Sequence, residues 1–157
     1  MKQNLLIIII IIFSITSGCG FKKLDKRENR NFVLFEINLE GNKKINYRLK
    51  NKLTINNPKE GEYLLVINLE NNKKKFVIEK NIRNEVTKYQ IVVSTNVSVK
   101  IVGKETVNKF NFTFRDDYSV ADNYSTTLNN EKISTNRLVD RISKKILEEI
   151  KIILNDN

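Results

Sequence analysis

The chain has 157 residues, room for one domain with its own core, and carries 28 lysines and arginines against 18 aspartates and glutamates, a formal charge of +10. It has no histidine, no tryptophan and a single cysteine, so every histidine-based triad and every His/Cys metal cluster is excluded. No GxSxG, Walker A or GxGxxG pattern occurs either, and an enzyme is not expected.

The first feature along the chain is a leader. Lys2 precedes an unbroken apolar-rich run from Leu5 to Ile15, and Thr16-Ser17-Gly18-Cys19 follows directly. As a helix the run would reach roughly 16 Å, about half of a hydrocarbon core of about 30 Å, so it suits a signal peptide better than a span. The segment resembles a bacterial lipobox, with Thr16 standing where leucine is usual. That resemblance implies cleavage after Gly18 and a covalent lipid on Cys19, the one cofactor-like group expected. The alternatives are an ordinary secretory signal with an incidental cysteine, or an uncleaved anchor helix. A lone thiol in an oxidising compartment would be a liability, and lipidation consumes it. One acyl chain holds a protein only reversibly, whereas several hold it in effect permanently. By the same resemblance Gly20, standing where an inner-membrane aspartate would be, favours the outer membrane on its periplasmic side. Expected boundaries are therefore 1–18 for the leader, 19–30 for a lipidated terminus and charged tether, and 31–157 for the domain.

Phe32 to Leu39 is β-branched and apolar enough for a strand, and Gly41-Asn42 ends it. Ile45, Leu49 and Leu53 then recur every four residues as the stripe of a short helix. Asn56-Asn57-Pro58 with Gly61 reads as a loop, and Glu62 to Glu70 as a strand with Tyr63, Leu65, Ile67 and Leu69 on one face. Lys73-Lys74-Lys75 reads as a solvated edge at a strand turn. The strongest alternation runs from Lys88 to Val102, and past Gly103 a second run places Phe110, Phe112 and Phe114 together, so the two form an antiparallel hairpin. Asp116-Asp117 is expected in a turn. Arg137 to Leu154 carries Leu138, Ile142, Ile146, Ile150 and Ile153 at helical spacing, with Ser134 or Thr135 as its cap, or a start already near Leu128, and Glu148-Glu149 as solvated charge. The expected fold is an α+β two-layer sandwich, β-α-β-β-β-α, with a mainly antiparallel four-stranded sheet covered by two helices.

The basic excess has two readings. Lysine, asparagine and isoleucine supply about 65 of the 157 residues in every segment, a background that makes much of the charge unspecific. Nucleic acid is the usual partner of such charge, but an exported, tethered domain is not expected to bind it, and an anionic lipid is the more available ligand.

Several short motifs resemble the LPS-assembly lipoprotein family, LptE. They are the Gly18-Cys19-Gly20-Phe21 start, Ile45-Asn46-Tyr47-Arg48-Leu49-Lys50-Asn51-Lys52-Leu53, Arg83-Asn84, Tyr89-Gln90 and Asp140-Arg141. The resemblance implies a plug for an LptD-type outer-membrane β-barrel that assists the barrel's assembly and lipopolysaccharide transport to the surface. It makes Arg83 a lipopolysaccharide-binding candidate, with an ordinary solvated loop arginine as the alternative. The family's second lipid-contacting lysine precedes the last helix; Thr126-Thr127 falls near that place, and Lys132 is the nearest lysine. Two other functions stand beside this one: an auxiliary lipoprotein of an ABC-type lipid transporter, and a structural envelope lipoprotein without a lipid ligand.

Overall fold

The computed structural model describes residues 31–55 and 57–156. Cys19, the leader and the tether lie outside them. The elements follow the order β1 (Phe32–Gly41), α1 (Lys43–Thr54), β2 (Tyr63–Lys80), β3 (Val86–Ile101), β4 (Val107–Ser119) and α2 (Tyr124–Asn155). The sheet order is β1-β2-β3-β4. β1 and β2 are parallel because α1 crosses between them, while β2-β3 and β3-β4 are antiparallel neighbours joined by turns. This is the two-layer α+β arrangement that the periodicity predicts.

Both helices cover one face. Leu65, Ile67 and Leu69 of β2 and Ile91, Val93, Val97 and Val99 of β3 point into it, meeting Ile45, Leu49 and Leu53 of α1 and Leu138, Ile142, Ile146 and Ile150 of α2. All are buried. Each such side chain contributes roughly 1.5–3 kcal/mol, so the two helix stripes are sufficient reason for the layers to close. Phe110, Phe112 and Phe114 share this face at its margin, half-buried. In the loop before β2, Asn57 reaches back to β1: its side-chain oxygen accepts from Leu34 N at 2.8 Å and its amide donates to Leu34 O at 3.1 Å. The side chain thus replaces a neighbouring strand where the β1 register shifts between Leu34 and Glu36.

Two boundaries differ from expectation. β2 does not stop at Glu70 but continues to Lys80, so the three lysines lie inside a strand and not at its turn. Beyond Asn71 the inward positions cease to be apolar: Asn71 is buried and bonded to Asn46 (2.7 Å) and Thr95 (2.7 Å), and Lys73 and Lys75 come next. Asp116 and Asp117 likewise sit within β4, and not in a turn.

The last helix begins at Tyr124, ten residues before the expected cap. Asn123 is the cap, accepting from Thr126 N at 2.7 Å, while Ser134 and Thr135 are buried within the helix. The first turns are rich in Asn, Ser and Thr, which form helix poorly by themselves, and tertiary bonds hold them: Ala121 N donates to Thr127 Oγ1 at 2.9 Å and Asn130 donates to Ser119 O at 3.0 Å. Asn123→Ala is expected to cost about 1 kcal/mol in urea unfolding. An unchanged midpoint would place the functional start of the helix near Ser134.

Candidate functional site

The β2-β3 hairpin outruns β1, while β4 follows β3 as far as the Lys88/Ser119 pair. β1 leaves β2 at the Gly41/Asn71 pair, and the β2 residues beyond it pair with β3 alone. At its apex Asn81 organises the turn: its side-chain oxygen accepts from Arg83 N (2.9 Å) and Glu85 N (3.0 Å), and its amide donates to Glu85 Oε2 at 2.7 Å. Asn84 takes the left-handed conformation (φ 63°) that asparagine tolerates, with Lys80 Nζ on its side-chain oxygen at 2.9 Å. The backbone of Arg83 is therefore fixed while its guanidinium has no carboxylate partner among the described residues.

Apolar side chains are exposed beside that cation in sequence and along the β2 strand leading up to it. Ile82 is fully exposed, and Phe76, Val77 and Ile78 are each more than 40% exposed. Lys88 is tied to Glu79 at 2.9 Å, which lowers the Glu79 carboxyl below its usual range and raises the lysine. An exposed turn that carries an unpaired guanidinium next to an exposed isoleucine is complementary to an anionic amphiphile, whose phosphate and acyl part it would meet side by side.

Lys132 is not at this apex. It lines a cavity of about 310 Å³ where α1, β2 and α2 meet, with Lys44, Arg48, Lys73, Leu128 and Glu131. From Lys73 to Lys80 alone β2 rises about 23 Å at ~3.3 Å per residue. The two sequence candidates thus belong to different places, and one phosphate group cannot contact both.

Sharing Lys73 and Glu131 with the lining of that cavity is a charged clasp that sequence reasoning missed. Glu131 of α2 accepts from Lys73 Nζ at 2.7 Å, Lys75 Nζ at 3.2 Å and the Tyr118 hydroxyl at 3.0 Å. Lys75 also lies 4.0 Å over the Tyr89 ring, which stacks on Tyr118 with centroids 5.5 Å apart. Burial alone would raise the Glu131 carboxyl, but the three donors outweigh it and hold the group at about 2. For Tyr118 burial dominates, and its hydroxyl titrates above the usual value.

Among the described residues, the second face of the sheet carries no helix. Its side chains are mainly amides and hydroxyls bonded across strands: Asn38 to Asn68 (2.9 Å), Asn68 to Ser98 (3.1 Å), Asn96 to Glu70 (3.0 Å) and Ser94 to Thr113 (3.0 Å). A trough of about 560 Å³ runs over Asn38, Asn68, Glu70, Asn96, Lys109 and Asn111. The carboxylate pairs considered in the sequence have structural partners. Asp116 binds Arg137 at 2.7 Å, Asp117 accepts from Gln90 at 3.0 Å, and Glu148 and Glu149 share Lys145.

The fold and these surfaces define an α+β two-layer domain with one helix-covered and one polar sheet face. No protein-family model and no curated protein matches the chain. Among solved structures it is similar to rare lipoprotein B from Shewanella oneidensis, with 14% identity and a TM-score of 0.58 over 77% of this chain and 97% of that one. It is also similar to a protein from Caulobacter crescentus described as a lipoprotein, with 15% identity and a TM-score of 0.57 over 76% of this chain and 90% of that one. At such identities the likeness is one of fold.

Proposed function

We propose that this chain is an envelope lipoprotein, anchored through a lipid on Cys19 to the periplasmic side of the outer membrane, that partners an LptD-type β-barrel in its assembly and in lipopolysaccharide transport. The observation that carries the reading is the hairpin apex, where Arg83 has no carboxylate partner among the described residues and the neighbouring Ile82 is fully exposed. A phosphorylated lipid offers both partners such a tip lacks. The fold shared with two proteins described as lipoproteins supports the anchor, and the polar, helix-free sheet face suits a hydrated barrel interior better than an apolar one would.

Pull-down of the lipidated chain from solubilised outer membranes is expected to recover a large β-barrel. Recovery of an ABC-type transport complex in its place, or of no barrel, would sink the proposal. Arg83→Glu is expected to weaken lipopolysaccharide binding by about tenfold, the equivalent of one charge-assisted hydrogen bond. Its melting temperature should not move, because Asn81 holds the turn through backbone groups. Unchanged binding would leave Arg83 a solvated turn residue.

A further inference from the structure

The cavity between the two helices collects cations that the rest of the molecule does not use. Lys44 and Arg48 are one helical turn apart on α1, Lys132 comes from α2, and Lys73 rises from β2 below them. The only carboxylate in the lining is Glu131, and it already accepts from Lys73, Lys75 and Tyr118. Lys44, Arg48 and Lys132 therefore converge with no carboxylate partner among the described residues. Like charges brought together at a concavity repel, and an anion seated among them removes that repulsion.

We propose that this cavity is a binding site for a phosphate monoester group, separate from the apex and independent of whether the apex binds lipid. Arg48 offers a planar fork for two phosphate oxygens, while the two lysines act as point charges on the third. A volume of about 310 Å³ exceeds a phosphate ion and admits part of the group it esterifies, against the half-exposed side chain of Leu128. A soluble molecule and a lipid headgroup can each carry such a monoester, and the chemistry at the cavity is the same.

The full chain in neutral detergent is titrated with glycerol 3-phosphate and, separately, with short-chain phosphatidic acid, following amide shifts at residues 44, 48 and 132. Saturable shifts there are expected with at least one probe: glycerol 3-phosphate alone points to a soluble ligand, phosphatidic acid alone to a headgroup. Arg48→Glu and Lys132→Glu are each expected to weaken the binding at least about tenfold. Lys132 is exposed, so its variant retains the fold should the half-buried Arg48 not tolerate replacement. Lys109→Glu makes the same change in net charge on the opposite sheet face and should leave affinity unaltered. Absence of saturation with both probes, or an equal loss in Lys109→Glu, overturns the site.

Discussion

Glu131→Gln is expected to lower the unfolding free energy by about 2 kcal/mol near neutral pH, with little change in the native fold. Removing one member of a buried ion pair commonly costs 3–5 kcal/mol, because the remaining charge is left without compensation. Here two ammonium groups would be left, Lys73 and Lys75, but the Glu131 and Lys73 side chains keep 24% and 20% of their exposure, so water recovers part of the loss. The effect depends on pH in one direction. Folding lowers the Glu131 carboxyl from its ordinary 4.5 to about 2. The clasp therefore contributes its full stability above about pH 4.5, and that stability is lost as pH falls towards 2. Urea titrations across this range should show wild type and Glu131→Gln converging at the acid end. A constant difference, or one below about 0.5 kcal/mol near neutrality, would show that the Tyr118 and cation contacts hold α2 without the carboxylate.

That clasp also marks where sequence stops being legible. The alternation over β3 and the helical stripe from Leu138 to Ile153 are local, and each names its own buried face; together with the short crossover through α1 they imply the two layers and their order. The upper half of β2 gives no such signal. Its inward positions are Lys73 and Lys75, which look like a solvated edge until Glu131, 58 residues later than Lys73, is brought onto them. For the same reason the early turns of α2 were illegible: their residues form helix only because Asn123 caps them and strand ends hold them. The position of Arg83 in a turn before the long strand is legible, since a turn residue is defined by its neighbours. Lys132 acquires its surroundings from α1, and no periodicity connects it with Lys44 or Arg48.

The turn that brings α1 into place gives the largest expected loss. Gly41→Ala should destabilise the domain by about 3 kcal/mol or more, well beyond Gly103→Ala at about 1 kcal/mol. Both glycines have left-handed backbone, φ 89° at Gly41 and 87° at Gly103, so an alanine at either is strained by a similar amount. The difference lies in their surroundings. A Cβ on Gly103 meets open space, whereas one on Gly41 runs into the backbone carbonyl oxygen of Asn71. That oxygen cannot swing aside, for it accepts from Asn42 N at 3.1 Å at the point where β1 passes into α1. Relief requires β1 and β2 to separate there, which pulls Asn71 from its bonds to Asn46 and Thr95 and leaves buried amides unpaired. The same displacement shifts Lys44 and Arg48 relative to Lys132, so Gly41→Ala should also weaken phosphate-monoester binding while lipid binding at the distant apex persists. Thermal unfolding of the two alanine variants side by side tests the argument. Equal losses would mean that backbone conformation alone, and not the close approach to Asn71, requires glycine at position 41.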